Sequence, residues 1–99
     1  MTTGRDRIAV RVDSASELGQ CIRAVRVAAQ LRQIDAAHLC GVSVPFLNKL
    51  EQGKPTARLD GVLKVCRGLG IAIELVPPGP LLKDAPRSLR RGRKRSADR

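Results

Sequence analysis

Ninety-nine residues are enough for one small domain, and 19 Lys+Arg against 9 Asp+Glu give it a formal net charge of +10. Apolar residues make up 42% of the chain, with one Phe and no Trp or Tyr, so the core is aliphatic and base-stacking modules built on exposed aromatics are excluded. No apolar run nears the ~18 residues of a membrane span, Arg5, Asp6, Arg7 and Arg11 interrupt any secretory h-region, and three cysteines without a CxxC pair suit a reducing cytoplasm better than a disulfide framework.

Residues 1–13 read as an N-terminal extension containing the alternating run Ile8-Ala9-Val10-Arg11-Val12. Helix one is announced by Ser14-Ala15-Ser16-Glu17, the S-x-x-E form of a capping box. Leu18, Ile22, Val25 and Ala29 follow as one helical stripe, which predicts a helix over about 15–29. Cys21 lies beside that stripe, and Arg23 and Arg26 lie off it, facing solvent or a ligand. Gln33 to Cys40 is compatible with a second helix, with Ala36 and Ala37 as small packing residues. Gly41-Val42-Ser43 then supplies a turn glycine, an apolar plug and an N-cap serine. Pro45 falls in the first turn of a third helix, where its missing N–H costs little. That helix is expected over Val44 to Gln52, with Leu47 and Leu50 as its buried pair, and ends at Gly53. Two short helices joined by about three residues are the sequence form of a helix-turn-helix.

Pro55 and Thr56 mark the expected start of a fourth helix carrying Leu59, Val62, Leu63, Cys66 and Leu69, with Gly70 just past its end. Ile71-Ala72-Ile73-Glu74-Leu75-Val76 is short, β-branched and alternating, and reads as a strand. A lone strand leaves its backbone polar groups unpaired. Either it pairs with residues 8–12 of the same chain, or with its own copy across a two-fold axis. The second is favoured, because a helix-turn-helix usually reads DNA as a symmetric dimer. Ile71, Ile73 and Leu75 are then the dimer contacts. Residues 14–76 form the folded domain on this reading. Residues 77–99 open with Pro77, Pro78, Gly79 and Pro80 and carry 8 Lys+Arg against 2 Asp+Glu, a basic tail expected to be disordered and able to bind phosphates.

In a helix-turn-helix the second helix enters the major groove and its N-terminal residues touch base edges. The outward positions are Val44, Pro45, Phe46, Asn48 and Lys49. Asn can pair bidentately with adenine and Lys can donate to guanine O6 and N7, while Val44 or Phe46 could meet thymine methyls. Phe46 could equally be a buried anchor. Gln33 and Ser43 sit at two helix starts, where backbone N–H groups suit phosphate oxygens, and Lys54 lies just past the recognition helix, within reach of the DNA backbone. His38 and Cys40 point away from each other at i, i+2, so no metal is expected. No nucleophile-and-base constellation or Gly-rich phosphate loop stands out, so neither an enzyme nor a cofactor is expected.

From Leu18 to Val76 the chain resembles the Cro/C1-type helix-turn-helix repressors. Leu31-Arg32-Gln33 is similar to that family's Leu-Thr-Gln opening of the second helix, Ala37 to its small packing residue, Gly41-Val42-Ser43 to its turn, and Leu50-Glu51-Gln52-Gly53 to its closing of the recognition helix. Val44-Pro45-Phe46-Leu47, then Leu50 to Leu59, and Leu69-Gly70-Ile71 look like the HipB branch, with Gly53-Lys54-Pro55-Thr56-Ala57 and the strand after helix four as the more specific features. That resemblance implies a mainly α, four-helix domain with an intermolecular two-stranded sheet in a homodimer. It further implies an antitoxin that represses its own operon on double-stranded DNA and binds a HipA-like serine/threonine kinase toxin. Two alternatives are a stand-alone phage or chromosomal repressor and a toxin-sequestering protein with secondary DNA binding. Arg32 departs from the usual Thr cap, which weakens the start of helix two but adds a charge for phosphate. Residues 77–99 match no part of the family.

Overall fold

Ser14 opens the first helix as its sequence suggests: its Oγ accepts the Glu17 N–H at 3.1 Å, and Glu17 Oε1 accepts the Asp13 N–H at 2.6 Å. The computed structural model describes residues 8–79, folded as α1 (Ala15–Ala28), α2 (Gln33–Cys40), α3 (Val44–Glu51) and α4 (Leu59–Leu69). α2 packs most extensively on α4, α1 packs on α3, and α3 lies against α2. Gly41 takes φ 76° as the C-cap of α2, a left-handed conformation that suits glycine. Two residues later Ser43 Oγ accepts the Phe46 N–H at 3.1 Å and starts α3.

The core is aliphatic and small. Ile22, Ala36, Ala37, Leu47, Leu50, Val62 and Val65 are buried, joined by Cys40 and Cys66. Burial pushes the Cys40 and Cys66 thiols up, so they serve as small core hydrophobes. Leu18, Phe46, Leu69 and Ile71 pack half-buried around the edge.

Three sequence expectations are corrected here. The buried stripe of α1 is Gly19, Ile22 and Arg26 rather than one ending at Ala29, which is exposed. Arg26 therefore points inward. α4 begins at Leu59, not at Pro55-Thr56, because Arg58 holds the extended N-cap conformation (ψ 135°) and Pro55-Thr56 lie in a turn. Its buried face is Val62, Val65 and Cys66, which leaves Leu59 and Leu63 exposed. α3 also ends one residue earlier than expected, with Gln52 as its cap.

Beyond α4 the Ile71 N–H donates to the Cys66 carbonyl at 2.8 Å and closes the helix. Residues 8–12 and 71–76 do not pair with each other within the chain. Ile73, Leu75 and Val76 stand exposed, as do Ile8 and Val10. Most of the tail read over 77–99 lies outside the described residues, as do residues 1–7.

Candidate nucleic-acid interface

α3 shows one face to the core and the other to solvent. Leu47 and Leu50 are fully or nearly fully buried, so the remaining positions of the helix are held at a fixed rotation. Ser43, Val44, Pro45 and Lys49 are exposed, and Asn48 is half-buried beside Gln33. Lys54 is exposed just past the helix. Of the expected site residues, Gln33 of α2 and Asn48 of α3 are brought into hydrogen-bond contact. Ile71, Ile73 and Leu75 lie on the segment beyond α4 and do not join them.

Phe46 takes the anchor position of its two alternatives. Its ring packs over Gly61 of α4, so closely that a Cβ at position 61 would overlap the ring. A cleft of about 260 Å³ opens beside this contact, lined in part by Ser43, Phe46, Arg58 and Lys64. Arg58 at the cap of α4 and Lys64 within it thus border the capped start of α3. Neither cation belongs to a capping or turn motif that the sequence displays. The Arg58 hydrogen bond holds the Asp60 carboxyl below the usual carboxylate range, with Arg58 Nη2 2.9 Å from Asp60 Oδ2. Lys64 forms no ion pair among the described residues.

Arg32 makes no cap hydrogen bond to α2, in line with its departure from Thr. Its guanidinium is turned to Asp35, with Nε 2.9 Å and Nη2 3.3 Å from the carboxylate oxygens. That pair is exposed on both sides, so a phosphate can compete for the arginine at small cost.

Beneath α3 lies a polar cluster that the sequence pattern did not reveal. Arg26 Nε and Nη2 donate to Glu51 Oε2 and Oε1 at 2.6 and 2.9 Å, and Nη1 donates to the Leu31 carbonyl at 2.8 Å. Burial alone would push the Glu51 carboxyl up, but hydrogen bonds from Arg26 and Gln33 and the Arg26 charge hold it below its ordinary value. The Glu51 hydrogen bond raises Arg26 in turn. Gln33 Nε2 reaches Glu51 Oε1 at 3.1 Å and Asn48 Oδ1 at 3.3 Å. The side chain of Gln33 therefore ties α2 to α3, and only its backbone N–H remains for a phosphate. A partial signal exists for Arg26 alone: it falls four residues after Ile22, on the face that the structure buries.

Among the described residues no three His, Cys, Asp or Glu side chains come together as a metal site requires. No described helix is long and apolar enough to cross a membrane.

Residues 17–78 match the family described as a helix-turn-helix domain. Over 72 residues the chain is 39% identical to y4mF of Sinorhizobium fredii, an uncharacterized HTH-type transcriptional regulator, spanning 73% of this chain and 95% of that protein. Among solved structures, a HipB-O4 20mer complex superposes with a TM-score of 0.65 at 17% identity, over 70% of this chain and 97% of the other. A HipA-HipB-O2-O3 complex gives the same values. The restriction-modification controller protein C.AhdI from Aeromonas hydrophila superposes with a TM-score of 0.54 at 29% identity, over 59% of this chain and 88% of that one. At 17% identity the likeness to HipB is one of fold.

Proposed function

The chain belongs to the helix-turn-helix family of Cro/C1-type transcriptional regulators, and on that footing we propose that it is a homodimeric repressor of its own operon and the antitoxin of a HipA-like kinase. The observation that carries the DNA-reading part is the placement of Asn48 and Lys49 on the outer side of a helix whose Leu47 and Leu50 are locked in the core. Asn48 and Lys49 read base edges. Ser43, the α2 start at Gln33, and Lys54 hold phosphates and set the register. Val44 and Pro45 fill the groove beside the bases. Ile71, Ile73 and Leu75 join two chains through paired strands, which satisfies backbone groups that have no partner within one chain. The antitoxin part is supported by the Gly53-to-Ala57 run and by a fold that spans 97% of the matched chain in the HipA-HipB-O2-O3 complex.

The test is binding to the DNA upstream of the gene at about 150 mM salt, against a scrambled duplex of equal length. A preference of about a thousandfold or more, with two chains per palindrome, is expected. Equal binding to both duplexes overturns the repressor reading and leaves only the attraction of the positive charge for DNA. Co-purification with a kinase encoded beside the gene decides the antitoxin part. Its absence leaves a stand-alone repressor.

A further inference from the structure

The polar cluster under α3 has a direction. Glu51 is an ionised carboxylate gripped by two arms of Arg26, so it can only accept hydrogen bonds. The end of the Gln33 amide that lies 3.1 Å from Glu51 Oε1 must then be the amino end, Nε2. That same amino group lies 3.3 Å from the Asn48 side chain, so Asn48 must turn its oxygen toward Gln33. Gln52 Nε2 donates to the same oxygen at 3.3 Å. Both lone pairs of Asn48 Oδ1 are engaged, and Asn48 Nδ2 donates to no protein acceptor among the described residues.

We propose that Arg26, Glu51 and Gln33 are positioning residues that fix the polarity of the Asn48 amide, so that Asn48 meets the major groove as a hydrogen-bond donor alone. The inference rests on the operator-binding reading above and deepens it. Bidentate pairing with adenine needs the Asn oxygen to accept from N6 while its nitrogen donates to N7. With that oxygen occupied, Asn48 selects an edge made only of acceptors, and guanine with O6 and N7 offers it. Residue type alone points to adenine; the buried charge, acting through two amides, points to guanine.

Two measurements test this on the full-length protein. In the free protein, side-chain amide exchange by NMR should find the Gln33 Nε2 protons protected and the Asn48 Nδ2 protons open to solvent. The opposite pattern overturns the relay without reference to DNA. On DNA, the base pair facing Asn48 is the one whose preference Asn48→Ala abolishes. Guanine should be favoured there over adenine by about tenfold. Gln33→Leu combined with Gln52→Leu frees the oxygen and should shift that preference toward adenine, whereas Gln33→Lys keeps a donor against Glu51 and Asn48 and should retain guanine. Adenine preferred by the wild type, or a guanine preference untouched in the double variant, overturns the relay and leaves the operator reading standing. So does specific binding in which Asn48→Ala changes no base preference. Wild-type protein that cannot tell operator from random DNA takes down the operator reading itself and the guanine preference with it.

Discussion

Arg26 and Glu51 stand 25 residues apart in sequence, yet their side chains form a two-armed ion pair, Nε to Oε2 at 2.6 Å, with only 10% and 3% of their surfaces exposed. The pair joins the end of α1 to the end of α3, and through the Leu31 carbonyl it also holds the loop that enters α2. A buried pair of this kind adds little net stability over a well-packed apolar substitute, but breaking it leaves one charge buried alone.

Glu51→Leu should therefore destabilise the protein by about 3–5 kcal/mol, a large share of the stability a small domain has. Arg26→Met together with Glu51→Leu should recover most of that loss. Urea unfolding of the two single variants and the double variant measures the difference. A double variant no more stable than Glu51→Leu would show that the cost lies in lost packing, not in the stranded charge.

The pair also sets an acid limit. Glu51 titrates below its ordinary value of 4.5 in the folded protein, so its stabilising contribution is fully present above pH 4.5 and fades as pH falls through the lower, folded-state value. The urea midpoint of the wild type should drop faster below pH 4.5 than that of the Arg26→Met/Glu51→Leu variant. Asp35 and Asp60 are also depressed but are common to both proteins, so the difference between the two curves isolates Glu51.

Gly61→Ala sets two effects against each other. Alanine favours a helix over glycine by about 1 kcal/mol, but its Cβ would overlap the Phe46 ring, and overpacking costs about 1–3 kcal/mol. The expected net result is a loss of stability. In a Phe46→Leu background the obstruction goes, and the same substitution should become stabilising. Thermal melts of the four proteins check for this change of sign.

Lys49 and Lys54 should separate by function. Lys49→Ala should relax selectivity at one base position, whereas Lys54→Ala should weaken operator and random DNA alike and reduce the salt slope by about 1. Titrations across a salt series read both. Equal losses on the two duplexes for Lys49→Ala would remove it from base reading.

Leu75→Asp changes a side chain that is 87% exposed in the single chain, so the fold itself should tolerate it within about 0.5 kcal/mol. If Ile71, Ile73 and Leu75 join two copies, the variant should sediment as a monomer at concentrations where the wild type is a dimer. Its affinity for a palindrome should fall toward that for a half-site. A variant that stays dimeric would place the two-fold contact elsewhere.

Local signals carried the first three helices. Ser14 with Glu17, Gly41 with Ser43, and Pro45 in a first turn each act within four residues, so the chain displays them openly. α4 was misplaced at its start because Arg58 caps with its backbone alone and offers no side-chain cap hydrogen bond, while Pro55-Thr56 imitates a helix opening. Its buried face is not legible in the sequence, because Leu59 and Leu63 are as apolar as Val62 and Val65, and the helices packed on α4, α2 above all, decide which pair is covered. The outer positions of α3 follow from Leu47 and Leu50 except at Phe46, whose ring packs on Gly61 of α4. Off the stripe of Leu18, Ile22, Val25 and Ala29, Arg26 is expected to face solvent or a ligand, and its partner Glu51 is visible only once α1 and α3 are side by side. The orientation of the Asn48 amide is further out of reach, since it depends on four side chains from three helices and the cap of α3.

The same connectivity governs how a protein of this design can change over generations. One substitution at position 26 or 51 strands a charge, so the neutral single-step routes through those sites are closed and only paired replacements survive. Position 33 is bound to position 51 and to Asn48. Positions 44, 45 and 49 make no side-chain hydrogen bond among the described residues and can be exchanged one at a time. Drift toward a new target sequence would therefore begin at the front of α3, while Asn48 stays tied to its history.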